Sequence, residues 1–119
     1  MKETSANQAA KRRTMRDSEM IDGYLLGDPI SKAEAIAALL AVRSPLPAAA
    51  PFYRALEAVG ARAADEALIA LRLVLAGKPP EDDRVRRLRA LSAKARSEKG
   101  ADRAAARAAY LDELGFPDA

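Results

Sequence analysis

The chain has 119 residues, enough for one domain, and half of them are apolar. It contains no cysteine and no histidine, which excludes disulfides, thiolate chemistry, and the most common general base and transition-metal ligand. The net charge is only +3, but residues 84–107 alone carry +7, because nine of them are basic and two are acidic. Such clustering is typical of a surface that meets a polyanion or an acidic protein.

The first sixteen residues are polar and show no apolar period, which indicates a disordered basic arm over residues 1–16. Within this arm, Lys11, Arg12 and Arg13 are candidate auxiliary phosphate contacts. Residues 17–119 are predicted to form a single helical domain. Its first part, 17–76, is an apolar helical core, and its second part, 81–115, holds the basic C-terminal helices.

Two short helices are predicted first, over residues 17–26 and 32–43. Gly27, followed by Asp-Pro, ends the first helix, because glycine suits the left-handed position after a helix. Ser31 is the predicted N-cap of the second, and Glu34 completes an S-x-x-E capping box. The pair has the length of a helix-turn-helix. We treat a DNA-reading motif as the minority interpretation, because the second helix presents mostly alanine.

The next two predicted helices cover residues 49–59 and 61–76. The second of these is apolar on nearly all sides, which predicts a buried position at the centre of the bundle. Arg72 is its only charge after Glu66, and a buried arginine needs a partner. We expect Arg72 to pair with a carboxylate such as Asp65, although an interface position is the alternative.

Gly-Lys-Pro-Pro at residues 77–80 separates this helix from two basic ones, predicted over 81–97 and 103–114. Asp102 is the expected N-cap of the last helix, and Gly115 ends it. The predicted fold is therefore an all-α bundle of about five short helices with an alanine-rich core.

The basic helices carry the candidate binding site. Guanidinium groups match the geometry of phosphate, and arginine outnumbers lysine by seven to two within residues 84–107. Acidic residues at helical spacing, which a merely solvated face normally contains, are nearly absent there. The candidate nucleic-acid contacts are Arg86, Arg87, Arg89, Lys94, Arg96, Arg103 and Arg107.

From this pattern we predict a non-enzymatic protein that contacts the phosphate backbone of DNA or RNA, inside a homo-oligomer or an obligate complex. The alternative is a protein-binding regulator, such as an inhibitor, an antitoxin-like protein or a phage-encoded modulator, that docks its basic face on an acidic or nucleic-acid-binding target. No cofactor, metal or catalytic residue is predicted. A membrane span is not expected either, because the apolar runs are short, and we expect a cytoplasmic protein.

Overall fold

A computed structural model of the chain describes residues 17–58 and 64–115. The predicted arm, with Lys11, Arg12 and Arg13, lies outside these residues. Within them there is no strand, which confirms the all-α class, and there are six α-helices rather than about five. They are α1 (17–25), α2 (Lys32–Ala41), α3 (Ala50–Ala58), α4 (Ala64–Leu75), α5 (Asp82–Ser97) and α6 (Gly100–Leu114), with a 3₁₀ turn at Pro47–Ala49.

Most helix ends follow the local sequence signals. The Ser31 hydroxyl accepts a hydrogen bond from the Glu34 amide at 3.1 Å, which confirms the predicted cap of α2. Gly115 closes α6 in the left-handed conformation, with φ of 88°. The predicted start of α6 is wrong: Lys99 is its N-cap. Asp102 lies in the first turn instead, where the helix dipole favours a carboxylate.

Helix α4 lies at the centre of the bundle, as its composition predicts. Eight of its twelve residues are buried, including apolar side chains on opposite sides of the helix. The expectation of an alanine-rich core holds only in part, because the largest fully buried side chains are Leu, Ile and Tyr. Many alanines of α5 and α6 lie on the surface instead; they are Ala90, Ala93, Ala101, Ala104, Ala105, Ala108 and Ala109.

A buried ion pair joins α1 to α4. The Nε atom of Arg72 donates to the two carboxylate oxygens of Asp22 at 2.9 and 3.1 Å. Pairing of Arg72 with Asp65 is therefore a wrong prediction, because α1 packs close enough to α4 to supply a different carboxylate. Burial raises the pKa of Asp22, against the opposing attraction of Arg72. The hydroxyl of Tyr110 is also buried, and none of the residues that the structure describes forms a hydrogen bond with it.

A second polar cluster fixes the start of α1 against α3. The Tyr53 hydroxyl donates to the Asp17 carboxylate at 2.9 Å and accepts from the backbone amide of Ser44 at the same distance. Burial is the main reason that the pKa of Tyr53 is raised to about 12. These hydrogen bonds anchor the segment between α2 and the 3₁₀ turn to the core.

Replacing Arg72 by methionine should destabilise the fold in a pH-dependent way. We expect the free energy of unfolding near pH 7.5 to fall by about 3 kcal/mol, because the change leaves a buried carboxylate unpaired. Loss of the guanidinium raises the pKa of Asp22 further, so the folded variant binds a proton at Asp22 more tightly than the unfolded chain does. The loss of stability relative to the unsubstituted protein should thus be small at low pH and grow as the pH rises through the raised pKa. Urea unfolding across this pH range measures it.

The matched control is the double variant R72M/D22N, which removes both charges. The free energy of unfolding of this double variant should lack the pH dependence that Asp22 gives to R72M, since no titratable group remains at that position. A deficit of R72M that is the same at acid and neutral pH would contradict the account of the pair.

Candidate functional site

The basic C-terminal helices form an antiparallel pair with a narrow buried seam. In α5 the buried residues are Leu88, Ser92 and Ala95, and in α6 they are Ala106, Tyr110 and Leu114. Because these positions recur about once per helical turn, the remaining positions point sideways or outward. The seven candidate cations of these helices consequently differ in their surroundings.

Two of the seven hold the fold together. Arg103 Nε donates to the carbonyl oxygens of Ala95 and Glu98 at 2.9 and 3.0 Å, so it satisfies carbonyls left open at the end of α5. Arg107 Nη1 donates to the Leu26 carbonyl at 2.9 Å and to a carboxylate in the same turn at 3.0 Å. Both arginines thus tie α6 to neighbouring backbone, where a phosphate would have to displace existing hydrogen bonds.

The turn after α1 fits closely against this region. Gly27 has a φ of 87°, and a Cβ atom added to it would lie only 3.2 Å from the carbonyl oxygen of Ala95. Glycine is therefore required there both by the backbone conformation and by the close approach to α5. The same added atom would lie 3.4 Å from the guanidinium carbon of Arg103.

Arg96 belongs to a cluster built around one carboxylate. Its guanidinium lies 4.3 Å from the centre of the Tyr24 ring and 3.5 Å from Asp65. The Lys32 ammonium lies 3.1 Å from the Asp65 carboxylate, and the Tyr24 hydroxyl donates to the same carboxylate at 3.3 Å. Partial burial works against the charged form of Lys32, but hydrogen bonds with Asp65 and Tyr24 outweigh it, so the pKa is raised. This cluster connects α1, α2, α4 and α5.

Arg87 and Arg89 lie on opposite sides of α5, and each has a carboxylate partner on another helix. Arg87 donates to Glu113 of α6 at 2.8 Å, and Arg89 donates to Glu66 of α4 at 2.6 Å. Both side chains remain more than half exposed. Ion pairs at such positions contribute only about 0–1 kcal/mol each, so they hold the helices together weakly.

Among the described residues, two of the seven candidate cations contact no carboxylate or carbonyl group of another element. Arg86 is 79% exposed and approaches Asp83 of its own helix no closer than 3.8 Å. Lys94 is also exposed, on the side of α5 that carries Arg87. The four cations of this and the preceding paragraph, together with the carboxylates next to them, form a surface that we name the α5 mosaic. Its members are Asp83, Arg86, Arg87, Arg89, Lys94, Glu66 and Glu113.

The α5 mosaic carries a net charge of only +1, with four cations and three carboxylates; Arg84 of the same helix also approaches Glu113, at 3.9 Å. The sequence pattern missed this compensation because the acidic partners lie outside the basic stretch. Glu113 is 26 residues from Arg87, and Glu66 is 23 residues from Arg89. Spacing within one helix carries no signal for such pairs. Whether any of these side chains contacts nucleic acid stays a prediction.

Within residues 17–58 and 64–115, no three histidine, cysteine, aspartate or glutamate side chains are placed to hold a metal ion. A shallow groove of about 330 Å³ between α3, α4 and α5 is mainly apolar, with Glu66 and Asp82 among its lining residues. Across the same two ranges, no helix has both the length and the apolar character needed to cross a membrane.

Comparison of the chain with protein-family models, with curated proteins and with solved structures finds no match. Its functional interpretation therefore depends on the geometry of its own surfaces.

Proposed function

We propose that this protein is a non-enzymatic, protein-binding regulator that contacts its target through the α5 mosaic. The observation that supports this choice is the alternation of cations with carboxylates on that surface. Arg87 and Arg89 each have a glutamate at hydrogen-bonding distance, so the surface offers donors and acceptors side by side. A mixed pattern of this kind complements another protein surface of opposite pattern.

The same pattern fits a polyanion less well. Nucleic-acid affinity grows with the number of phosphates that cations neutralise, and carboxylates next to the arginines reduce that number. Arg103 and Arg107, both predicted phosphate contacts, are already engaged by backbone carbonyls. Ala90 and Ala93 lie exposed on α5 between its charged residues. Because their side chains are small, a helix of a partner protein can approach closely.

A charge swap tests the protein-binding proposal without altering net charge. The double variant R89E/E66R keeps an ion pair between α5 and α4 but reverses the pattern that a partner meets. Affinity-tagged protein would be incubated with nuclease-treated lysate of the encoding organism. We expect one stoichiometric protein with the unsubstituted chain and at least about tenfold less with the swap, because like charges across an interface cost several kcal/mol.

Arg54→Glu is the matched control, because it reverses an exposed charge on α3, outside the α5 mosaic. This control should capture the same partner as the unsubstituted protein. Equal capture by R89E/E66R, with an unchanged unfolding curve, would rule out the α5 mosaic as the docking surface. Absence of any stoichiometric partner would also count against the proposal.

Binding to a nucleic-acid backbone is the second candidate, and the exposure of Arg86 and Lys94 favours it. Surface ion pairs are weak, so phosphates that reach Arg87 and Arg89 have only modest competition from Glu113 and Glu66. Contacts from two cations give a slope of log affinity against log salt of about −1.8, and contacts from four give about −3.6.

Fluorescence anisotropy with a labelled duplex at low salt distinguishes these cases. If this candidate is correct, E66Q and E113Q should strengthen binding, because each frees an arginine, and Glu57→Gln on α3 should not. The triple variant R86Q/R87Q/K94Q should reduce a slope of about −3.6 to about −0.9, because only Arg89 of the four cations remains. Absence of binding to duplex and single strand at low salt would eliminate nucleic acid as the target.

A further inference from the structure

Helix α2 has a surface that differs from every charged helix face of the protein. Only Ala35 and Leu39 of its ten residues are buried. Ala33, Ala37 and Ala41 follow one another at one-turn intervals and are all exposed. From position 35 to position 42 there is no charged residue. The outward side of α2 is therefore uncharged along most of its length.

The exposed large apolar side chains of the described residues lie at the end of this helix. They are Val42 and Leu46, which are 43% and 41% exposed. A loose segment does not account for their exposure. Ser44 between them is buried, its amide donates to the Tyr53 hydroxyl at 2.9 Å, and its own hydroxyl accepts from the Leu46 amide at 3.3 Å. The fold holds these apolar side chains in place at the surface.

The charges at the two ends of α2 are complementary to each other. Glu34 is exposed in the first turn, on the side that carries Ala37, Ala38 and Ala41, and it meets the positive end of the helix dipole. Arg43, with a side chain 43% exposed, follows the C-terminal end. The Arg43 guanidinium pairs with Glu57 and lies 5.6 Å from the centre of the Tyr53 ring, yet it has five donors and can also donate to a second carboxylate.

We propose that the outward side of α2 binds the same surface of a second copy of this chain, antiparallel and around a two-fold axis near Ala38. This arrangement brings Glu34 in the first turn of each copy toward Arg43 of the other, which follows the C-cap Val42. It covers the alanine stripe and brings the two apolar ends, Val42 and Leu46, against the facing copy. A two-fold contact requires such self-complementarity, and the charge order along α2 supplies it.

The expected dimer is weak. A ten-residue helix is about 15 Å long, so its outward side is small compared with the roughly 800 Å² per partner that stable interfaces bury. We therefore expect dissociation in the range of tens of micromolar, with a monomer–dimer equilibrium that depends visibly on concentration. Alanine at the contact positions allows the two helix backbones to come close, which gives the small surface good packing.

Analytical ultracentrifugation over concentrations from about 5 to 500 μM tests this proposal. The unsubstituted protein should shift from monomer to dimer within that range. A37E places a charge in the contact and should remain monomeric throughout. Its matched control is A105E, the same change at an exposed alanine of α6, which should dimerise like the unsubstituted protein. Glutamate is well tolerated in helices, so both variants are expected to fold.

A mixing experiment tests the antiparallel geometry. In a dimer of E34R, the arginine introduced at position 34 of each copy would face Arg43 of the other, and in a dimer of R43E, Glu34 of each copy would face a glutamate at position 43. Like charges therefore meet at both symmetric contacts, and each variant should be monomeric. In an equimolar mixture, the arginines of the E34R copy face the glutamates of the R43E copy. Both contacts are then attractive again, so the mixture should dimerise. Thermal unfolding checks that each variant is folded, and A37E carries the test if R43E is not.

Three results would overturn the proposal: an unsubstituted protein that is monomeric at every concentration, equal effects of A37E and A105E, or a mixture of folded E34R and R43E that stays monomeric.

The outward side of α2 is separate from the α5 mosaic. A monomeric A37E protein that still captures its partner would leave the proposed function intact, so the two failures are distinguishable.

Discussion

The fold depends first on arginines that satisfy groups inside the protein. Arg72 is 4% exposed and pairs with Asp22 across the contact between α1 and α4, where an unpaired charge would be strongly unfavourable. Arg103 and Arg107 extend the same principle to the C-terminal helices, by donating to carbonyl oxygens at the ends of α5 and α1. In a small domain, a few such charge-assisted hydrogen bonds are a large part of the net stability.

These arginines explain why a strongly basic sequence segment does not make an equally basic surface. The stretch 84–107 carries +7, but its charge is used on several sides of two helices. Part of it binds backbone carbonyls, part is balanced by Glu66 and Glu113, and Arg86, Lys94 and Lys99 are exposed to solvent. The α5 mosaic that results is a mixed surface, and this favours a protein target over a polyanion.

Alanine contributes to the surface as well as to the core. At positions such as Ala95 and Ala106 it allows α5 and α6 to pack closely, while the exposed alanines of α2 leave an uncharged side without bulky groups. The core itself is made mainly by Leu, Ile and Tyr around α4. Composition alone predicts helices from this alanine content, but it does not predict which side of each helix the alanines occupy.

Local signals predicted the helices well, because caps and glycine turns act over a few residues. The Ser31 cap, the Gly115 terminus and the buried character of α4 are all visible in short windows of sequence. The pairs that shape the site were not predictable in this way. Arg72 with Asp22 and Arg96 with Tyr24 join positions 50 and 72 residues apart, and they depend on how helices pack. Spacing within one helix favours Asp65 as the partner of Arg72, whereas the observed partner, Asp22, lies on α1.

The most direct test of this account is NMR measurement of hydrogen exchange at the arginine Nε–H groups of ¹⁵N-labelled protein. Arg72 and Arg103 donate through Nε from buried or half-buried positions, so their signals should exchange slowly and stay unchanged up to about 0.5 M salt. Arg86 should exchange rapidly. If Arg72 and Arg103 exchange as fast as Arg86, the arginines do not hold the helices together, and the account of the fold and its surface is wrong.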